Sequence, residues 1–416
     1  MERGYAMALK QKLKLAKSEK RERIHSFHRY FGKLIPAIPK FAIEEFTKPG
    51  DTVCDITCGS GTTLVEAKLL GRNSYGVDIN PLAVLISKTK TTFIASILLQ
   101  EEKDKLFKRI GEDKGKDFDK ELPFCINMDH WFKNFVQKDL VRIKRNIDKI
   151  QDKKIRDFFL VCFSAFLKGV SNADTHHIFP GYSKWLRKQD EEGNRKIDVI
   201  PSFEKAVNIR IKELINYDEK IPRKVFTKPI VGDARNLPKE IKDVDLIITN
   251  PPYISSIRYL ETLKLEMFWM KYLLNAEDYH KFDKVLIGTE KFSNQDTQNY
   301  ETNGIKDVDK ITKKLFENGQ KKMSKVVHDY FVDMEASFAE AYRVLNPGGH
   351  LVIKISDSFI RGFTIPTHRV FISTGENLGL KLEASFKDNI LNRSLLTKRN
   401  SYSGLIPHDW ILIFKK

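Results

Sequence analysis

DTVCDITCGSGTTLVEAKLLGRNSYGVDINPLAVLISKTK, residues 51–90, is the stretch that decides the fold class. DTVCDI (51–56) is a short, largely apolar run with the character of a buried strand. A glycine-rich turn (57–61) follows, then TTLVEAKLLG, which has helical spacing and ends at Gly71 as a C-cap. NSYGVDI (73–79) is a second strand, and NPLAVLISKTK opens a second helix with Pro81 in its first turn. Strand, helix, strand, helix at this spacing predicts a doubly wound α/β sheet.

Upstream, PKFAIEEF (39–46) has helical apolar spacing and stops at the breaker Lys48-Pro49-Gly50. Residues 1–23 carry Lys or Arg at eight positions and acids at three, which predicts a basic helix or a mobile arm. Downstream, residues 93–224 interrupt the rhythm with charged, mostly helical patterns, including the apolar helix FLVCFSAFLKGV (159–170). The alternation resumes with KPIVGD (228–233) and VDLIITN (244–250), which read as buried parallel strands. An aromatic-rich helix (257–274), a polar stretch (275–328) and the amphipathic helix DYFVDMEASFAEAYRVL (329–345) come next. HLVIKIS (350–356) is a strand after the turn Asn346-Pro347-Gly348-Gly349, and LKLEASF (380–386) with DWILIFK (409–415) form a closing pair. Seven strands are expected, beginning near 52, 73, 228, 244, 350, 380 and 409. The predicted organisation is a basic arm over 1–27, a catalytic domain over 28–92 and 225–416, a helical insertion over 93–224 as a candidate target-recognition region, and a polar insertion over 275–328.

The 416 residues carry a formal net charge of +17, which favours a polyanionic partner. No run approaches the ~18 to 20 apolar residues of a membrane span, and the first residues lack the pattern of a secretory leader. A cytoplasmic protein without a membrane partner is expected. Cys54, Cys58, Cys125 and Cys162 are too few for a disulfide framework, and Cys54 and Cys58 lack two further ligands at zinc spacing, so no metal is expected.

Four strand ends carry the chemistry. In Asp55-Ile56-Thr57-Cys58-Gly59-Ser60-Gly61-Thr62-Thr63 the glycines let the backbone approach a ligand, and the helix start offers free N–H groups. Asp78 in Gly76-Val77-Asp78-Ile79-Asn80 lies about 20 residues beyond the glycine turn, where nucleotide-binding folds set a carboxylate on ribose hydroxyls. Asp233-Ala234 ends a third strand; alone, the acid reads equally well as a turn residue. Asn250-Pro251-Pro252-Tyr253 ends the apolar strand LIIT. There two prolines stiffen the backbone, the amide and the Pro251 carbonyl act as acceptors, and Tyr253 offers a flat face. Ligands of open α/β sheets bind beyond such carboxyl ends.

These residues resemble the amino-methyltransferase family of DNA modification enzymes. DxxCGSGTT (55–63) resembles its S-adenosylmethionine (AdoMet) glycine motif, and NPPY (250–253) its catalytic motif. His28-Arg29-Tyr30-Phe31-Gly32-Lys33-Leu34-Ile35-Pro36 resembles the segment that flanks AdoMet, and LNPGGHLVIK (345–354) the fifth strand. The resemblance covers roughly 25–92 and 225–416 and leaves both insertions unmatched. It implies a seven-stranded Rossmann-like sheet, mostly parallel with one antiparallel edge hairpin. It implies AdoMet bound by Phe31, Pro36, Asp55, Thr57, Cys58, Gly59, Gly61, Thr62, Thr63, Asp78, Ile79, Asn80, Asp233 and Ala234, and catalysis by Asn250, Pro251, Pro252 and Tyr253. Double-stranded DNA is the implied substrate, with a base flipped out because an amino group inside a duplex is unreachable. A cognate restriction endonuclease would be a second partner.

No Pro-Cys dipeptide occurs, which argues against carbon-5 methylation through a thiolate. Asn250 before the prolines puts adenine N6 ahead of cytosine N4, although Thr249 fits the cytosine pattern. Tyr182, Lys184, Trp185 and Arg187, and separately Arg393, Lys398 and Arg399, are candidate DNA contacts, since aromatics among cations suit nucleic acid. An RNA amino-methyltransferase and a non-catalytic AdoMet- or nucleic-acid-binding regulator are the alternatives.

Overall fold

The computed structural model describes residues 2–254, 258–293, 295–390 and 406–416. Among them the strands are β1 (Thr52–Asp55), β2 (Asn73–Asp78), β3 (Thr227–Val231), β4 (Val244–Thr249), β5 (Leu345–Ile355), β6 (Ser358–Ile360), β7 (Phe363–Ile365), β8 (Lys381–Asn389) and β9 (His408–Lys415). Seven form one sheet in the order β3-β2-β1-β4-β5-β9-β8. β1 to β5 pair in parallel, and β9 runs antiparallel between β5 and β8. This is the expected Rossmann-like sheet, with its one reversed strand set a place in from the edge.

Alternation along the central strands buries both faces. Leu246 and Ile248 of β4, Val352 of β5, and Ile411 and Ile413 of β9 share one apolar cluster. Ile247, Leu351, Ile353, Leu412 and Phe414 face the other way into a second. Successive side chains of a strand point to opposite faces, so a strand apolar at every position needs cover on both sides. β3 differs from expectation: it is the outer parallel strand, and its residues are half-buried or exposed.

The helices supply that cover. α1 (Glu2–Ser18), α2 (Ala37–Phe46), α3 (Thr62–Leu69) and α4 (Pro81–Thr91) precede the insertion. The insertion holds α5 (Ser96–Glu112), α6 (Met128–Trp131), α7 (Asn134–Asp148), α8 (Lys153–Val170), α9 (Lys184–Glu191) and α10 (Val199–Asp218). Its core joins Leu106, Leu140, Phe158, Phe163 and Phe203 to Leu82 and Ile86 of α4. α11 (Tyr259–Thr262), α12 (Lys264–Trp269), α13 (Ala276–Val285), α14 (Lys306–Glu317), α15 (Lys321–Val344) and α16 (Thr367–Asn377) complete the set.

Other segments refine the reading of the sequence. Of the two readings of the N-terminal segment, helix or mobile arm, the helix holds over Glu2–Ser18, and it is packed down: Leu9, Leu13 and Ala16 of α1 are buried with Ile38 and Phe41 of α2 and Phe386 of β8, while Lys10, Lys12 and Lys14 face outward. The apolar stripe at helical spacing, rather than the charge, decides where this segment sits. The single helix expected over 257–274 is instead the two short helices α11 and α12, and 255–257 lie outside the described residues. The polar stretch 275–328 contains α13, α14 and the first turns of α15, which begins at Lys321 rather than 329. The β6–β7 hairpin was not foreseen, because three-residue strands are too short to show a period. Among the described residues, no helix is long and apolar enough to cross a membrane.

Candidate active site

The carboxyl ends of β1, β2, β3 and β4 open onto one cleft of about 850 Å³, counting its mouth. Its walls include Asp55, Thr57, Cys58, Gly59, Thr62, Asp78, Ile79, Asp233, Ala234, Asn250, Pro252 and Phe31. The polar ends predicted from four separate stretches of chain therefore converge. Six predicted residues, Pro36, Gly61, Thr63, Asn80, Pro251 and Tyr253, are not among those lining the cleft.

Each has a local reason for its place. Gly61, at the start of α3, is left-handed (φ 76°), and a β-carbon there would come within 2.6 Å of Ser87 Oγ. A β-carbon on Gly59 would meet the Tyr30 ring at 3.0 Å. Glycine thus lets the turn lie against α4 and leaves its backbone facing the cleft. Thr63 Oγ1 donates to Asp55 Oδ2 at 2.6 Å, and the Thr57 N–H donates to Asp55 Oδ1 at 3.2 Å. Asp78 accepts from the Gly59 N–H and the Asn80 N–H, both at 2.8 Å, so it braces the glycine turn. Asn80 Oδ1 in turn caps α4, accepting from Leu82 N at 2.9 Å. Pro36 is the N-cap residue of α2.

Burial pushes the Asp55 carboxyl up to about 7, against the hydrogen bonds from Thr63 and Thr57 that hold it down. Asp78 is pushed up to about 6 by the same cause, opposed by the Asn80 and Gly59 N–H groups. Cys58 lines the cleft, but burial and the carboxylates of Asp78 and Asp55 hold its thiol well above the ordinary range. A thiol so placed does not supply a nucleophilic thiolate.

Asn250 is tied at both ends of its amide: Nδ2 donates to the Gly32 carbonyl at 3.0 Å, and Oδ1 accepts from the Tyr253 hydroxyl at 3.2 Å. Thr249 and Thr57 share a hydroxyl hydrogen bond of 2.7 Å, which links the strand before Asn250 to the glycine turn. Asp233 has a partner that the sequence reading did not assign. Arg235 grips both its carboxylate oxygens and also reaches Asp333 at 2.9 Å and the Val285 carbonyl at 2.8 Å.

Tyr30, Lys33, Arg235 and Tyr259 line the cleft and were not predicted. Tyr30 and Lys33 sit inside the quoted segment 28–36, so that motif pointed to their neighbourhood. Arg235 and Tyr259 carried no signal beyond nearness to Asp233 and Asn250. Of the predicted DNA contacts, Lys184, Trp185 and Arg187 are exposed on α9, away from the cleft lining, and the Arg187 guanidinium lies 5.0 Å from the Tyr182 ring centre. Arg393, Lys398 and Arg399 lie outside the described residues. The loop before α9 is fastened to the cleft: Arg29, whose guanidinium sits 4.9 Å from the Phe31 ring centre, donates to the carbonyls of Thr175 and His177.

The cleft suits AdoMet. Its wall mixes aromatic rings with the buried carboxylate of Asp55 and the half-buried one of Asp78, and Gly59 of the glycine turn lines it. The sequence is similar to known DNA methylases. A family model described as DNA methylase matches residues 10–89. The Type II methyltransferase M.MvaI of Kocuria varians is 26% identical over 422 residues, covering 94% of this chain and 89% of its own. The Type II methyltransferase M.BsoBI of Geobacillus stearothermophilus is 24% identical, covering 89% of this chain and 81% of its own. A solved SAM-dependent methyltransferase of Methanosarcina mazei matches at 9% identity over 92% of this chain and 98% of its own, with a TM-score of 0.35. Sheet order and cleft define a Rossmann-like fold with a cleft at the strand ends that suits AdoMet. Over most of its length the chain is similar to Type II DNA methyltransferases.

Proposed function

We propose that this protein transfers a methyl group from AdoMet to an exocyclic amino group of a base flipped out of double-stranded DNA. One observation carries the reading: the Asn250 amide, oriented from both ends, opens onto the same cleft as Asp55, Asp78 and the glycine turn. An exocyclic amine is a poor nucleophile because its lone pair is spread into the ring. Acceptors on both N–H bonds, Asn250 Oδ1 and the Pro251 carbonyl, draw the nitrogen toward tetrahedral geometry and localise that pair. When bound, AdoMet would supply the electrophilic methyl group, its S–CH3 bond breaking to leave a neutral thioether while the amine's surplus proton passes to water, and Asp78 would hold its ribose hydroxyls. Tyr253 stacks on the base, a contact worth ~1 to 3 kcal/mol. Positioning and electrostatics account for the rate, with no covalent intermediate on the protein.

Both adenine N6 and cytosine N4 fit this chemistry; Asn250 follows the adenine pattern and Thr249 the cytosine one. Residues 93–224 serve target recognition, with Tyr182, Lys184, Trp185 and Arg187 against DNA, and 28–92 with 225–416 form the catalytic unit. The role is restriction-modification or host DNA protection, in the cytoplasm, beside a cognate endonuclease where one exists. Expression in a methylation-free host, followed by modification-sensitive sequencing and mass spectrometry of the DNA, tests the reading. A methylated amino base at one recurrent sequence is expected. Unmodified DNA, or transfer to tRNA in preference to duplex DNA, would overturn it.

A further inference from the structure

Behind Tyr253 lies a buried charged group that the proposed mechanism does not use. Lys354 leaves β5 toward the same strand ends, and its Nζ donates to the Tyr253 hydroxyl at 2.9 Å. Asp409, on β9, forms an ion pair with Lys354 and also accepts from Ser356 Oγ. The Lys354 and Asp409 side chains are 11% and 9% exposed, so this is an interior pair rather than a surface one.

The geometry constrains the phenol proton. A phenol has one proton to give, and its oxygen here receives a hydrogen bond from the Lys354 ammonium. Its possible acceptors are Asn250 Oδ1 at 3.2 Å and Asp409 Oδ1 at 3.4 Å. Asp409 Oδ1 already accepts from Ser356, and its carboxylate faces the lysine. The nearer, less engaged acceptor is Asn250. The chain Asp409–Lys354–Tyr253–Asn250 therefore runs from the antiparallel strand β9 to the amide at the cleft.

We propose that Lys354, anchored by Asp409, is a positioning residue for methyl transfer: it holds the Tyr253 hydroxyl, and through it the Tyr253 ring and the Asn250 amide, in the orientation that receives the substrate amine. This inference rests on the function proposed above and adds two residues to its machinery. Lys354 touches neither substrate nor cofactor in this account, so its effect travels wholly through the phenol oxygen. Burial favours such use, because a paired charge in a water-poor site holds its hydrogen bonds in one geometry.

The test is a double-mutant cycle on the full-length protein, read as the single-turnover rate with saturating AdoMet and duplex DNA. Lys354→Met and Tyr253→Phe should each slow transfer by roughly tenfold while AdoMet affinity stays within about twofold, since neither residue lines the cofactor wall. The double variant should be no slower than the slower single one within about twofold, because both changes remove the same hydrogen bond. Lys354→Met leaves Asp409 buried and unpaired, which can unfold the protein. Lys354→Met with Asp409→Asn removes both charges and should fold and show the same loss. Rate losses that multiply in the cycle, an unchanged rate in a folded Lys354 variant, or a parallel loss of AdoMet affinity would each refute the positioning role. A wild-type protein that methylates no DNA would overturn the proposed function, and this inference with it.

Discussion

Asn250 shows how one side chain can be specified from two directions. Gly32 takes its amide N–H and Tyr253 donates to its oxygen, so the amide cannot turn over without losing both bonds. Asn250→Ala should lower methyl transfer by about a hundredfold or more, as removal of one preorganised polar group at a reacting centre does. AdoMet binding, measured by calorimetry, should persist, and unchanged turnover would remove the mechanism. Asp78 makes a pH prediction. Its carboxyl sits at about 6, and a carboxylate accepts ribose hydroxyls better than an acid does. AdoMet affinity should therefore rise as pH increases through 6, and Asp78→Asn should abolish that rise. The sign for stability is opposite. Asp55 and Asp78 keep their protons in the folded state up to about 7 and 6, whereas the unfolded chain releases them near ~4. The empty protein should thus lose stability as pH rises over that interval, which urea titrations at several pH values would measure. Gly61→Ala forces a β-carbon into a left-handed position against Ser87. It should cost at least ~1 to 2 kcal/mol in unfolding experiments and weaken AdoMet binding.

Among the elements, α1 is the one whose charge misled. Eight basic positions within residues 1–23 suggested a helix or an arm for phosphate, and the helix is no free arm: Leu9 and Leu13 are 1% and 2% exposed. A helix can satisfy both patterns, because lysines at 10, 12 and 14 lie outside the stripe of Leu9, Leu13 and Ala16 and reach solvent. Leu13→Ala should destabilise the protein by about 2 to 5 kcal/mol in chemical denaturation, the cost of a buried leucine cavity, while a detachable arm would show no change. β9 illustrates the reverse case, in which a strand and its pairing with β8 were foreseen and its place beside β5 was not. DWILIFK read as a strand from its run of apolar residues, but only the register, with Lys354 opposite Ile411 and Ile355 opposite Trp410, brings Asp409 near Lys354.

Across the whole molecule, the surplus of positive charge and the long insertion make joint predictions about DNA. The loop leading to α9 is pinned beside the cleft by Arg29, and α9 itself presents Lys184, Trp185, Arg187 and Lys188 to solvent. Replacing Lys184, Arg187 and Lys188 together by alanine should weaken DNA binding and flatten the plot of log affinity against log salt by about 2 to 3. An unchanged slope would remove α9 from the DNA-binding surface. AdoMet affinity should not move, since none of these residues lines the cleft.

The residue order alone determined the seven strands, the two helices after β1 and β2, and the four polar strand ends. These are local patterns: period-two and helical repeats, glycine at a turn, proline at a helix start, an acid where a strand stops. Only the folded chain decided that β9 lies between β5 and β8, that α1 is packed on the sheet, that Asp233 is held by Arg235, and that Lys354 and Asp409 stand behind Tyr253. Each of those contacts joins side chains that no local period relates, Tyr253 and Asp409 being 156 positions apart. Their pairing depends on strand order and register, which are set by how the two faces of the sheet bury their apolar residues together.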